Sequence, residues 1–470
     1  MTVSFQSLGL SEASVSQLEK IGFTTPTTIQ AQAIPELLNG HDVLGMSQTG
    51  TGKTAAFSLP MLDRIDLDKR TVQALILTPT RELAQQVNQA IRDFSEDRRL
   101  HILTVCGGQS IERQIRMLYK GAQIVVGTPG RVIDLLDRGD LKLENLSWVV
   151  LDEADEMLSM GFIDDVKKIL QQTPEERQTT CFSATMPRPI QDLVSKFLKS
   201  PVTVKVQQSK AAPARIEQRV YMVPRGCSKI RALHPILELE DPEASIIFVR
   251  TRKAAAELTN QLQAAGHSVD EYHGDLSQSQ RERLLYRFRK NQVRWVVATD
   301  IAARGLDVDH LTHVINFDLP DQVESYIHRI GRTGRAGKTG TAITLIQPFE
   351  RRKLYQIERK VRQRLEVTRI PTRSQIETRR LERLQEELRE ALSGERMASF
   401  LPVVRELEEE YDAHAIAAAA LQLFYDKTQP PISDDIEERM VERPKLRPSN
   451  TDKRHRSEKP RKPVIQNQSR

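Results

Sequence analysis

The chain has 470 residues, 39% of them hydrophobic, which is enough for more than one packed core, and its length predicts about three structural units. It contains no apolar run of about 18 residues and lacks the charged start and apolar stretch of a secretory signal, so we expect neither a membrane span nor export and predict a cytoplasmic location. The cysteines are far apart, without metal-binding or redox spacing, which predicts reduced thiols at Cys106, Cys181 and Cys227.

Positive charge is concentrated near the C-terminal end of the chain. The net charge is +6, whereas residues 443–470 hold ten Lys or Arg and two acidic residues, so subtracting their +8 leaves −2 for the rest. A body this close to neutral cannot attract nucleic acid as a whole, and any such site in it must be a local track of donors.

The first 40 residues contain an aromatic side chain and a primary amide that suit a purine base. Gln30, at the end of the stretch GFTTPTTIQ, offers a donor and an acceptor side by side, which complements N6 and N7 of adenine, and Phe5 would cover the base. A helix-capping loop and a core phenylalanine are the alternative interpretation of the same residues.

A glycine-rich loop follows the apolar pair Val43-Leu44, which we interpret as the end of a buried strand. A strand, a glycine loop and a helix start surround phosphates with backbone N–H groups and the positive end of the helix dipole. Lys53 would reach the outer phosphates and the Thr54 hydroxyl would ligate Mg²⁺, although Ser47 stands where the general phosphate-loop pattern has its first glycine. The predicted loop comprises Ser47, Gln48, Thr49, Gly50, Thr51, Gly52, Lys53 and Thr54.

Three further apolar runs, at 72–78, 103–106 and 124–127, are predicted strands that end in loops of small and hydroxylated residues. Ligands of open α/β sheets lie beyond the carboxyl ends of the strands, which places these loops on the same edge as the glycine-rich loop. Backbone amides there can approach a phosphodiester chain, and Thr80 and Thr128 can donate to its oxygens; ordinary turn chemistry is the alternative.

An acidic turn follows the apolar strand predicted at 148–151. An NTPase needs carboxylates at this position: Asp152 would hold Mg²⁺, mainly through its water shell, and Glu153 would orient or deprotonate the attacking water. Ser183 and Thr185 come after the stretch QTTCF at 178–182. They can hydrogen-bond the acidic turn, and we interpret them as coupling residues.

Residues 207–216 are polar, lack periodicity and contain a proline, which predicts an interdomain linker. Beyond it, strands predicted at 245–249, 269–272, 295–298 and 314–317 alternate with helices and indicate a second doubly wound domain. This domain has no Lys-Thr loop but carries Arg332 and Arg335 among glycines. Aimed at a γ-phosphate, they would act as arginine fingers; a basic turn facing RNA is the alternative.

The C-terminal part of the chain changes to helical patterns. Leu381, Leu384, Leu388 and Leu392 recur at helical spacing before Gly394, which predicts an amphipathic helix that ends there. Two further helical stretches follow, at 403–411 and 413–425, and their apolar residues would cover either the second domain or a second copy of the chain. From residue 428 the composition predicts a disordered basic tail that attracts phosphates but, without aromatic residues, cannot stack on bases.

In this order, over roughly residues 5–335, the motifs closely resemble those of the DEAD-box RNA helicases. The matching stretches are Phe5 with GFTTPTTIQ, SQTGTGKT, PTRELA, the glycine pair at 107, TPGR, the DEAD turn at 152, SAT at 183, IIFVRT, HGD, ATDIAARGLD and HRIGRTGR. The resemblance implies an α/β fold of two tandem RecA-like doubly wound parallel-sheet domains, at 1–206 and 217–366. The helical segment at 367–427 resembles the dimerisation region of bacterial cold-shock-associated DEAD-box proteins, and the disordered basic tail spans 428–470.

The resemblance also implies a role for each matching residue. ATP and Mg²⁺ are the expected cofactors, and the predicted catalytic residues are Lys53, Asp152, Glu153, Arg332 and Arg335. Phe5 and Gln30 would bind adenine, and Asp307 would lie near the ribose. The predicted coupling residues are Asp155, Ser183, Thr185 and His328. The residues predicted to line the RNA backbone are Pro79, Thr80, Arg81, Gly107, Gly108, Thr128, Arg131, Arg250, Gly274 and Thr299.

The expected activity is ATP-dependent unwinding or remodelling of RNA duplexes, driven by closure of the two domains over ATP and a single strand. An ATP-gated RNA clamp or assembly factor that unwinds little would use the same residues and stays open as an alternative, whereas the motif set disfavours a DNA translocase. Contacts to phosphates and 2′-hydroxyls would select RNA over DNA without regard to sequence. Homodimerisation through 372–425 and association with RNA-processing or ribosomal partners are further expectations.

Overall fold

Two seven-stranded parallel sheets organise the chain. The structure, a computed structural model, describes residues 3–47, 50–96, 98–206, 215–303, 311–334, 338–361 and 363–428. The strands are β1 (Val43–Met46), β2 (Ala74–Leu77), β3 (Ile102–Val105), β4 (Ile124–Gly127), β5 (Trp148–Leu151), β6 (Gln178–Ser183), β7 (Val202–Lys205), β8 (Ile216–Met222), β9 (Ser245–Val249), β10 (Val269–Tyr272), β11 (Trp295–Thr299), β12 (His313–Asn316), β13 (Gly340–Ile346) and β14 (Glu366–Thr368).

Helices flank both sheets. They are α1 (Glu12–Lys20), α2 (Thr28–Leu38), α3 (Lys53–Leu62), α4 (Arg81–Phe94), α5 (Ile111–Tyr119), α6 (Pro129–Asp137), α7 (Ala154–Ser159), α8 (Ile163–Gln171), α9 (Arg188–Phe197), α10 (Lys229–Glu240), α11 (Arg252–Ala264), α12 (Gln278–Arg289), α13 (Asp300–Ala303), α14 (Val323–Ile330), α15 (Arg351–Val361), α16 (Arg373–Ser393), α17 (Leu401–Leu407) and α18 (Ala413–Thr428). Short 3₁₀ helices lie at Gln6–Leu8, Pro348–Glu350 and Glu395–Phe400.

The first sheet belongs to residues 3–206, which we call the first lobe, and has the order β3-β4-β2-β5-β6-β1-β7 with every pair parallel. Strands β1 to β5 are short and almost wholly apolar because helices cover both faces, whereas β6 (QTTCFS) and the edge strand β7 (VTVK) contain polar residues. Alternate residues of one strand therefore enter two cores: Ile76 packs in the cluster of Phe57, and Leu75 in the cluster of Val132. Full burial of each such side chain contributes about 1.5–3 kcal/mol.

The second sheet belongs to residues 215–370, the second lobe, and has the order β10-β11-β9-β12-β13-β8-β14 with every pair parallel. The predicted α/β fold with two doubly wound sheets is confirmed. Of the linker predicted at 207–216, residues 207–214 lie outside the described residues and β8 already begins at Ile216.

Five strands escaped the sequence analysis: β6, β7, β8, β13 and β14. β8 (IEQRVYM) mixes charged and apolar residues and resembles a polar connection, while β14 has only three residues. These segments become strands because β6 pairs with β5 and β1, while β8 pairs with β13 and β14, and β7 with β1, at one end of each sheet. Such pairing joins segments distant in sequence, and local composition does not reveal it.

The strand order brings the sequence motifs together. β5, β6 and β1 are neighbours, so the glycine-rich loop, the acidic turn and the loop at Ser183 share one edge of the first sheet. β10, β11 and β9 are likewise neighbours in the second sheet, which places the loops after each of them side by side. Both groups lie at the carboxyl ends of parallel strands, where open α/β sheets bind their ligands.

The first half of the C-terminal helix α16 packs on the second lobe, whereas the leucines in its second half are exposed. Thr372 caps α16 in a reciprocal capping box with Gln375, and Arg380, one of the helix's first residues, donates to Glu238 of α10 at 2.6 Å. Further along, the side chains of Leu388 and Leu392 are 39% and 58% exposed, and the helix ends before Gly394 as predicted. No helix in the described parts of the chain combines the length and apolar character needed to cross a membrane.

Candidate functional site

The glycine-rich loop lies between β1 and α3 and requires glycine at two positions. Gly50 and Gly52 have φ angles of +78° and +90°, in the left-handed region that other residues disfavour. A Cβ at Gly52 would also lie 2.5 Å from Nε2 of Gln30, so the loop packs too closely for a side chain there. Gln48 and Thr49 lie outside the described residues.

The hydroxyl groups of the loop are arranged on either side of these glycines. Ser47, where the general pattern has a glycine, is buried, and its Oγ accepts a hydrogen bond from Thr51 Oγ1 at 3.2 Å. Thr54 is the second residue of α3 and is half-buried. The first N–H groups of α3 have no partner within the helix and face the loop, which suits an anion.

Lys53 and Asp152 form a buried ion pair at the edge of the sheet. Lys53 is 7% exposed and Asp152 2% exposed, and Lys53 Nζ lies 3.8 Å from Asp152 Oδ1. Burial raises the pKa of Asp152, and the nearby ammonium of Lys53 opposes this effect. Among the described residues nothing donates a hydrogen bond to Asp152 Oδ1, so this buried oxygen lacks the partner that such groups normally have.

The residues around Asp152 fit a magnesium ion. The unpartnered carboxylate oxygen and the Thr54 hydroxyl are hard oxygen ligands of the kind that Mg²⁺ prefers. Within the described ranges no three His, Cys, Asp or Glu side chains come together as a metal cluster. A magnesium ion here would therefore need phosphate oxygens and waters to complete its coordination.

Glu153 stands in a strained backbone conformation at the start of α7. Its φ of +53° is unusual for a residue with a side chain, and such strain occurs most often at functional sites. Burial raises the pKa of Glu153, while the charges of Lys53 and Arg332 oppose the shift. Because Arg332 belongs to the second lobe, its charge acts on this carboxylate from the opposite side of the cleft.

Gln30 and Thr27 connect the start of α2 to the glycine-rich loop. Gln30 Oε1 accepts from the Thr27 N–H at 2.8 Å, and Gln30 Nε2 donates to the Gly52 carbonyl at 3.1 Å. Thr27 Oγ1 donates to the Thr51 carbonyl at 2.8 Å. Phe5 is 3% exposed and belongs to the core of the first lobe. The capping and core roles are thus both present, and the adenine roles of Gln30 and Phe5 stay predictions that require an exchange of partners.

The acidic turn is bonded to the loop after β6. Asp155 accepts hydrogen bonds from the backbone N–H and the hydroxyl of Thr185, at 2.8 and 2.9 Å. Ser183 Oγ donates to the Thr185 carbonyl at 2.6 Å and holds the turn of this loop. These hydrogen bonds connect the two motifs directly, and the coupling role of the residues stays a prediction.

The two lobes meet across a cleft beside the acidic turn. His328 of α14 lies with Nδ1 2.6 Å from Oε1 of Glu156, one residue after Asp155. A cavity of about 720 Å³ adjoins this contact and is lined by Asp155, Glu156, Thr185, Gln322, Ser325 and His328, among others. Arg335 and Asp307, also predicted to reach this site, lie outside the described residues.

In the first lobe, the predicted RNA contacts lie in three loops at the sheet edge. The guanidinium of Arg81 lies against the glycine pair, since a Cβ at Gly108 would be 2.0 Å from Arg81 Nη1 and one at Gly107 would be 3.3 Å from Nη2. Arg131 donates to the Gln109 carbonyl at 3.3 Å and reaches the same segment. Pro79 is buried, Thr80 caps α4 with its side chain, and Thr128 occupies the N-cap of α6.

In the second lobe, the predicted contacts follow β9, β10 and β11. The side chain of Arg250 is 53% exposed, and its Nη2 lies 3.8 Å from Asp321. Gly274 is exposed beside the Arg252 side chain, since a Cβ at Gly274 would lie 3.7 Å from Arg252 Nε, and Thr299 is 9% exposed. Both lobes therefore present guanidinium groups and glycines at their carboxyl edges, which suits contacts to a phosphodiester chain.

Comparisons with known proteins agree with this geometry. The DEAD/DEAH box helicase model matches residues 27–193, the helicase conserved C-terminal domain model residues 228–337, and the RNA helicase DeaD dimerization domain model residues 371–437. RNA helicase CrhR of Synechocystis is 67% identical over 430 residues, which cover 92% of this chain and 87% of that protein. The chain belongs to the DEAD-box RNA helicase family. The resemblance inferred from the motifs is confirmed, and with it the assignment to an enzyme class that hydrolyses ATP.

Other relatives of this helicase support the same assignment. The ATP-dependent RNA helicase CshA of Listeria monocytogenes is 44% identical over 434 residues, covering 92% of this chain and 83% of that protein. Dbp5 of S. cerevisiae, solved bound to RNA and ADP BeF3, is 33% identical with a TM-score of 0.73 and covers 80% of this chain and 98% of its own. Mss116p, solved bound to ssRNA and AMP-PNP, is 25% identical with a TM-score of 0.72. The match covers 94% of this chain and 95% of the Mss116p chain.

A second contact between the lobes of this helicase was missed by the sequence analysis. Glu82 of α4 is 7% exposed and accepts from Tyr272 Oη and from Arg281 Nη1, each at 3.3 Å. Gln85 Nε2 lies 3.4 Å from Glu282 Oε1 beside it. Glu82 lies in the PTRELA stretch, whose other polar residues are predicted RNA contacts, and a buried acid needs a partner; its burial is visible only in the structure.

Arg329 was also missed. It is 3% exposed and pairs through Nε and Nη2 with Asp300, at 2.5 and 2.7 Å, while Nη1 donates to Asn316 at 3.1 Å. Its guanidinium lies 4.9 Å from the centre of the Phe248 ring. These bonds hold α14, and with it His328 and Arg332, against the ends of β9, β11 and β12. Arg329 is therefore a positioning residue for the groups that face the first lobe.

Proposed function

We propose that this helicase opens short RNA duplexes locally by closing its two lobes over ATP and a single RNA strand. The observation that carries the proposal is the contact of the two lobes beside the acidic turn, through His328 and Glu156. Glu153 of the first lobe lies within the field of Arg332 of the second, and His328 lies 2.6 Å from Glu156 beside them. Lys53, Asp152 and Glu153 belong to the first lobe and Arg332 to the second, so neither lobe alone supplies all of these groups.

In the proposed ATPase site, the first lobe holds the nucleotide. The loop N–H groups and Lys53 bind the phosphates, and Asp152 with Thr54 holds Mg²⁺, which neutralises charge on the phosphate oxygens when bound. Glu153, whose buried carboxylate has a raised pKa, orients the attacking water and takes its proton. Arg332, with Arg335 as the second predicted finger, offsets the charge that develops on the transferred phosphate.

RNA favours the closed arrangement because it contacts both lobes. The proposed contacts come from Arg81, Gly108 and Arg131 of the first lobe and from Arg250 and Gly274 of the second. A strand that binds both halves stabilises the closed state, and by linkage the closed state binds the strand more tightly. Closure selects a single strand over a paired A-form helix and so separates a few base pairs, and hydrolysis reopens the cleft.

The C-terminal extension is proposed to form a homodimer. The support is the match of the dimerization model to residues 371–437 and a series of large apolar side chains that are exposed in α16 to α18. They include Leu381, Leu388, Leu392, Phe400, Leu401, Val403, Leu407, Leu423 and Phe424. The domain limits inferred from the sequence are part of this proposal. So are a cytoplasmic location and partners that process RNA or belong to the ribosome.

Strand displacement on a short RNA duplex, measured beside ATP turnover with and without RNA, tests the proposed function. We expect RNA to raise turnover and ATP to release the labelled strand, and Glu153→Gln to abolish turnover while the protein stays bound to RNA. If RNA stimulates turnover but no strand is displaced, the result would contradict the proposed unwinding and support an ATP-gated RNA clamp. Equal stimulation by DNA would contradict the proposed RNA selectivity.

A further inference from the structure

The surface formed by α15 and β14 carries a concentration of positive charge. Residues 351–369 hold eight Lys or Arg and two acids, a charge of +6, which leaves −8 for the other residues before 443. Five of these arginines are exposed and make no hydrogen bond or ion pair with another described side chain: Arg369, and in 349–367 the four residues Arg351, Arg352, Arg359 and Arg364. We call the exposed residues of 349–367 the α15 surface.

Other arginine-rich helices of the second lobe are more engaged. In α12, Arg281 bonds Glu82, Arg283 donates to the Ser279 carbonyl, and Arg287 pairs with Asp270 at 2.7 Å. A charge that is neutralised by a partner inside the protein attracts an outside ligand only weakly. The α15 surface is different because its four exposed arginines face solvent without such partners among the described side chains.

Exposed aromatic rings lie among these arginines. Tyr355 is 65% exposed, and Phe349, in the turn just before α15, is 78% exposed. Arg351 and Arg359 lie one helical turn before and after Tyr355, so they occupy the same face of the helix. A phenol ring between two guanidinium groups offers a stacking face together with two phosphate donors.

A groove continues from the ring to the edge strand β14. It has a volume of about 520 Å³, and its lining includes Tyr355, Arg351, Arg364, Val367, Glu358 and Glu366. The carboxylate of Glu358 accepts from the Leu365 N–H at 2.9 Å and so is already engaged. Val367 is 46% exposed and gives the floor of the groove an apolar side.

We propose that the α15 surface is a further binding site for single-stranded RNA, outside the contacts at the carboxyl ends of β9, β10 and β11. Aromatic faces beside exposed arginines match the alternating bases and phosphates of a single strand, whereas a duplex exposes no base faces. An acidic protein partner would match the charge but leave the exposed rings of Tyr355 and Phe349 without their stacking partner. The inference rests on the proposed function, because it extends the path of the same strand.

The start of α15 is linked to the edge of the RNA-facing loops. Lys353 Nζ lies 2.9 Å from Asp321, and Asp321 is also the carboxylate nearest to Arg250. A strand that passes Arg250 therefore continues directly onto the first turn of α15. The α15 surface would lengthen the site without taking part in the ATPase chemistry.

The test compares two labelled oligouridylates, of about 10 and about 30 nucleotides, on the full chain, since the shorter fills about one single-strand site. We expect Arg351→Glu combined with Arg352→Glu to weaken binding of the longer probe by about tenfold and to lower its salt slope by about one to two units. Tyr355→Ala should weaken the same probe by about fivefold or more with an unchanged salt slope, because it removes stacking rather than charge. Binding of the shorter probe, and the turnover it stimulates, should stay unchanged in both variants.

The matched control is Lys168→Glu combined with Lys205→Glu, which makes the same change in net charge at exposed positions of the first lobe. A loss on the longer probe equal to that of the control, or unchanged binding in both α15 variants, would overturn the inference. Failure of the shorter probe to stimulate turnover in the unmodified chain would instead overturn the proposed function. The two failures are therefore distinguishable.

Discussion

Single side chains in this helicase derive their chemistry from burial and from one or two neighbours. Asp152 and Glu153 are adjacent, yet Asp152 is paired with Lys53 while Glu153 also lies within the field of Arg332. Burial raises the pKa of both carboxyl groups, and the cations nearby oppose this shift. Removal of one cation should therefore disturb the site more than its local contacts suggest.

Replacing Lys53 with alanine should lower ATP turnover by about 10²-fold or more, because the change removes a phosphate donor and the counter-ion of Asp152 together. Turnover with saturating RNA measures the effect, and thermal unfolding without ligand checks that the variant folds. Lys69→Ala is the control, since its ammonium is exposed and pairs with exposed Asp66. Normal turnover in Lys53→Ala would refute the role of the loop.

Glu240 gives a prediction for stability and pH. Burial alone would raise its pKa, but the nearby imidazole of His313 and hydrogen bonds from Tyr221 and Arg219 lower the pKa of Glu240 to about 2. A depressed carboxyl pKa stabilises the fold above the ordinary value near 4.5, and this stabilisation is lost as the pH falls from about 4.5 to about 2. Glu240→Gln should thus lower the free energy of unfolding of the second lobe at pH 7 by about 1–3 kcal/mol.

Fluorescence of Trp295 in a Trp148→Phe background can follow the unfolding of this lobe, because these are the two tryptophans of the chain. The difference between parent and Glu240→Gln should shrink as the pH falls below about 4.5. Glu217→Gln serves as control: its side chain is 59% exposed and pairs with the same Arg219, so its effect should stay within about 0.5 kcal/mol. A difference independent of pH would contradict the assignment.

Helices and loops carry the contacts that connect the motifs, both within the first lobe and between the lobes. α2 is bonded to the glycine-rich loop, α7 to the loop after β6, and α4 to α12 across the cleft. Each junction uses a side chain whose partner lies on another element, so a change in one element is transmitted to the next. The contact of Glu82 with Arg281 and Tyr272 tests this idea, because it lies away from the nucleotide.

Glu82→Gln and Arg281→Ala should each lower RNA-stimulated turnover by about tenfold and leave turnover without RNA nearly unchanged. The double variant should resemble either single one, because both remove the same contact, with a coupling energy of about 1–2 kcal/mol. Arg283→Ala, two residues along the same helix, is the control because its guanidinium donates to the backbone of its own helix. Fully additive losses would show that Glu82 and Arg281 act separately.

At the scale of the whole molecule, helix α16 connects the second lobe to the proposed dimer contact. The first residues of α16 dock on α10 through Arg380 and Glu238, so the exposed apolar residues further along are held at a defined position relative to the second lobe. Packing on the lobe is observed for the first half of α16, and self-association is proposed for the exposed apolar residues that follow. The α15 surface lies next to this segment in the chain.

Leu388→Asp combined with Leu392→Asp should shift the chain from dimer to monomer in light scattering, because it places two charges on the exposed apolar face of α16. Turnover per chain should change little, since neither residue is near the cleft. The control is Glu386→Asp with Glu387→Asp, which keeps the charge of the same helix turn. A monomeric parent chain at micromolar concentration would contradict the proposed dimer.

Deletion of residues 443–470 should weaken RNA binding and flatten its salt dependence, because ten Lys or Arg are removed. Each phosphate that the tail neutralises on a single strand should account for about 0.7 of the slope. Turnover at saturating RNA should persist, which binding and ATPase titrations at several salt concentrations can check. An unaltered slope would show that the tail does not bind RNA.

Contiguous motifs were predictable from the sequence because their chemistry is local. Lys53 reaches the loop that precedes it, and Asp152 and Glu153 follow directly on an apolar strand, so residue type and spacing were sufficient to propose their roles. Strands such as β5 and β9 were predictable for the same reason, since burial on both faces demands a continuous apolar run. The role of Gln30 could not be decided from the sequence, because its pattern allowed both a helix cap and an adenine contact. The hydrogen bonds in the structure are those of the cap.

Packing of segments distant in sequence supplied the remaining features. The bonds of Glu82 to Tyr272 and Arg281, the network of Arg329, the docking of α16 and the groove beside β14 all join residues that no local pattern relates. The partner of a side chain in such contacts depends on how helices and sheets pack. A local motif by itself does not determine that packing. The sequence therefore identifies the chemical groups of this helicase, and the fold determines which of them meet.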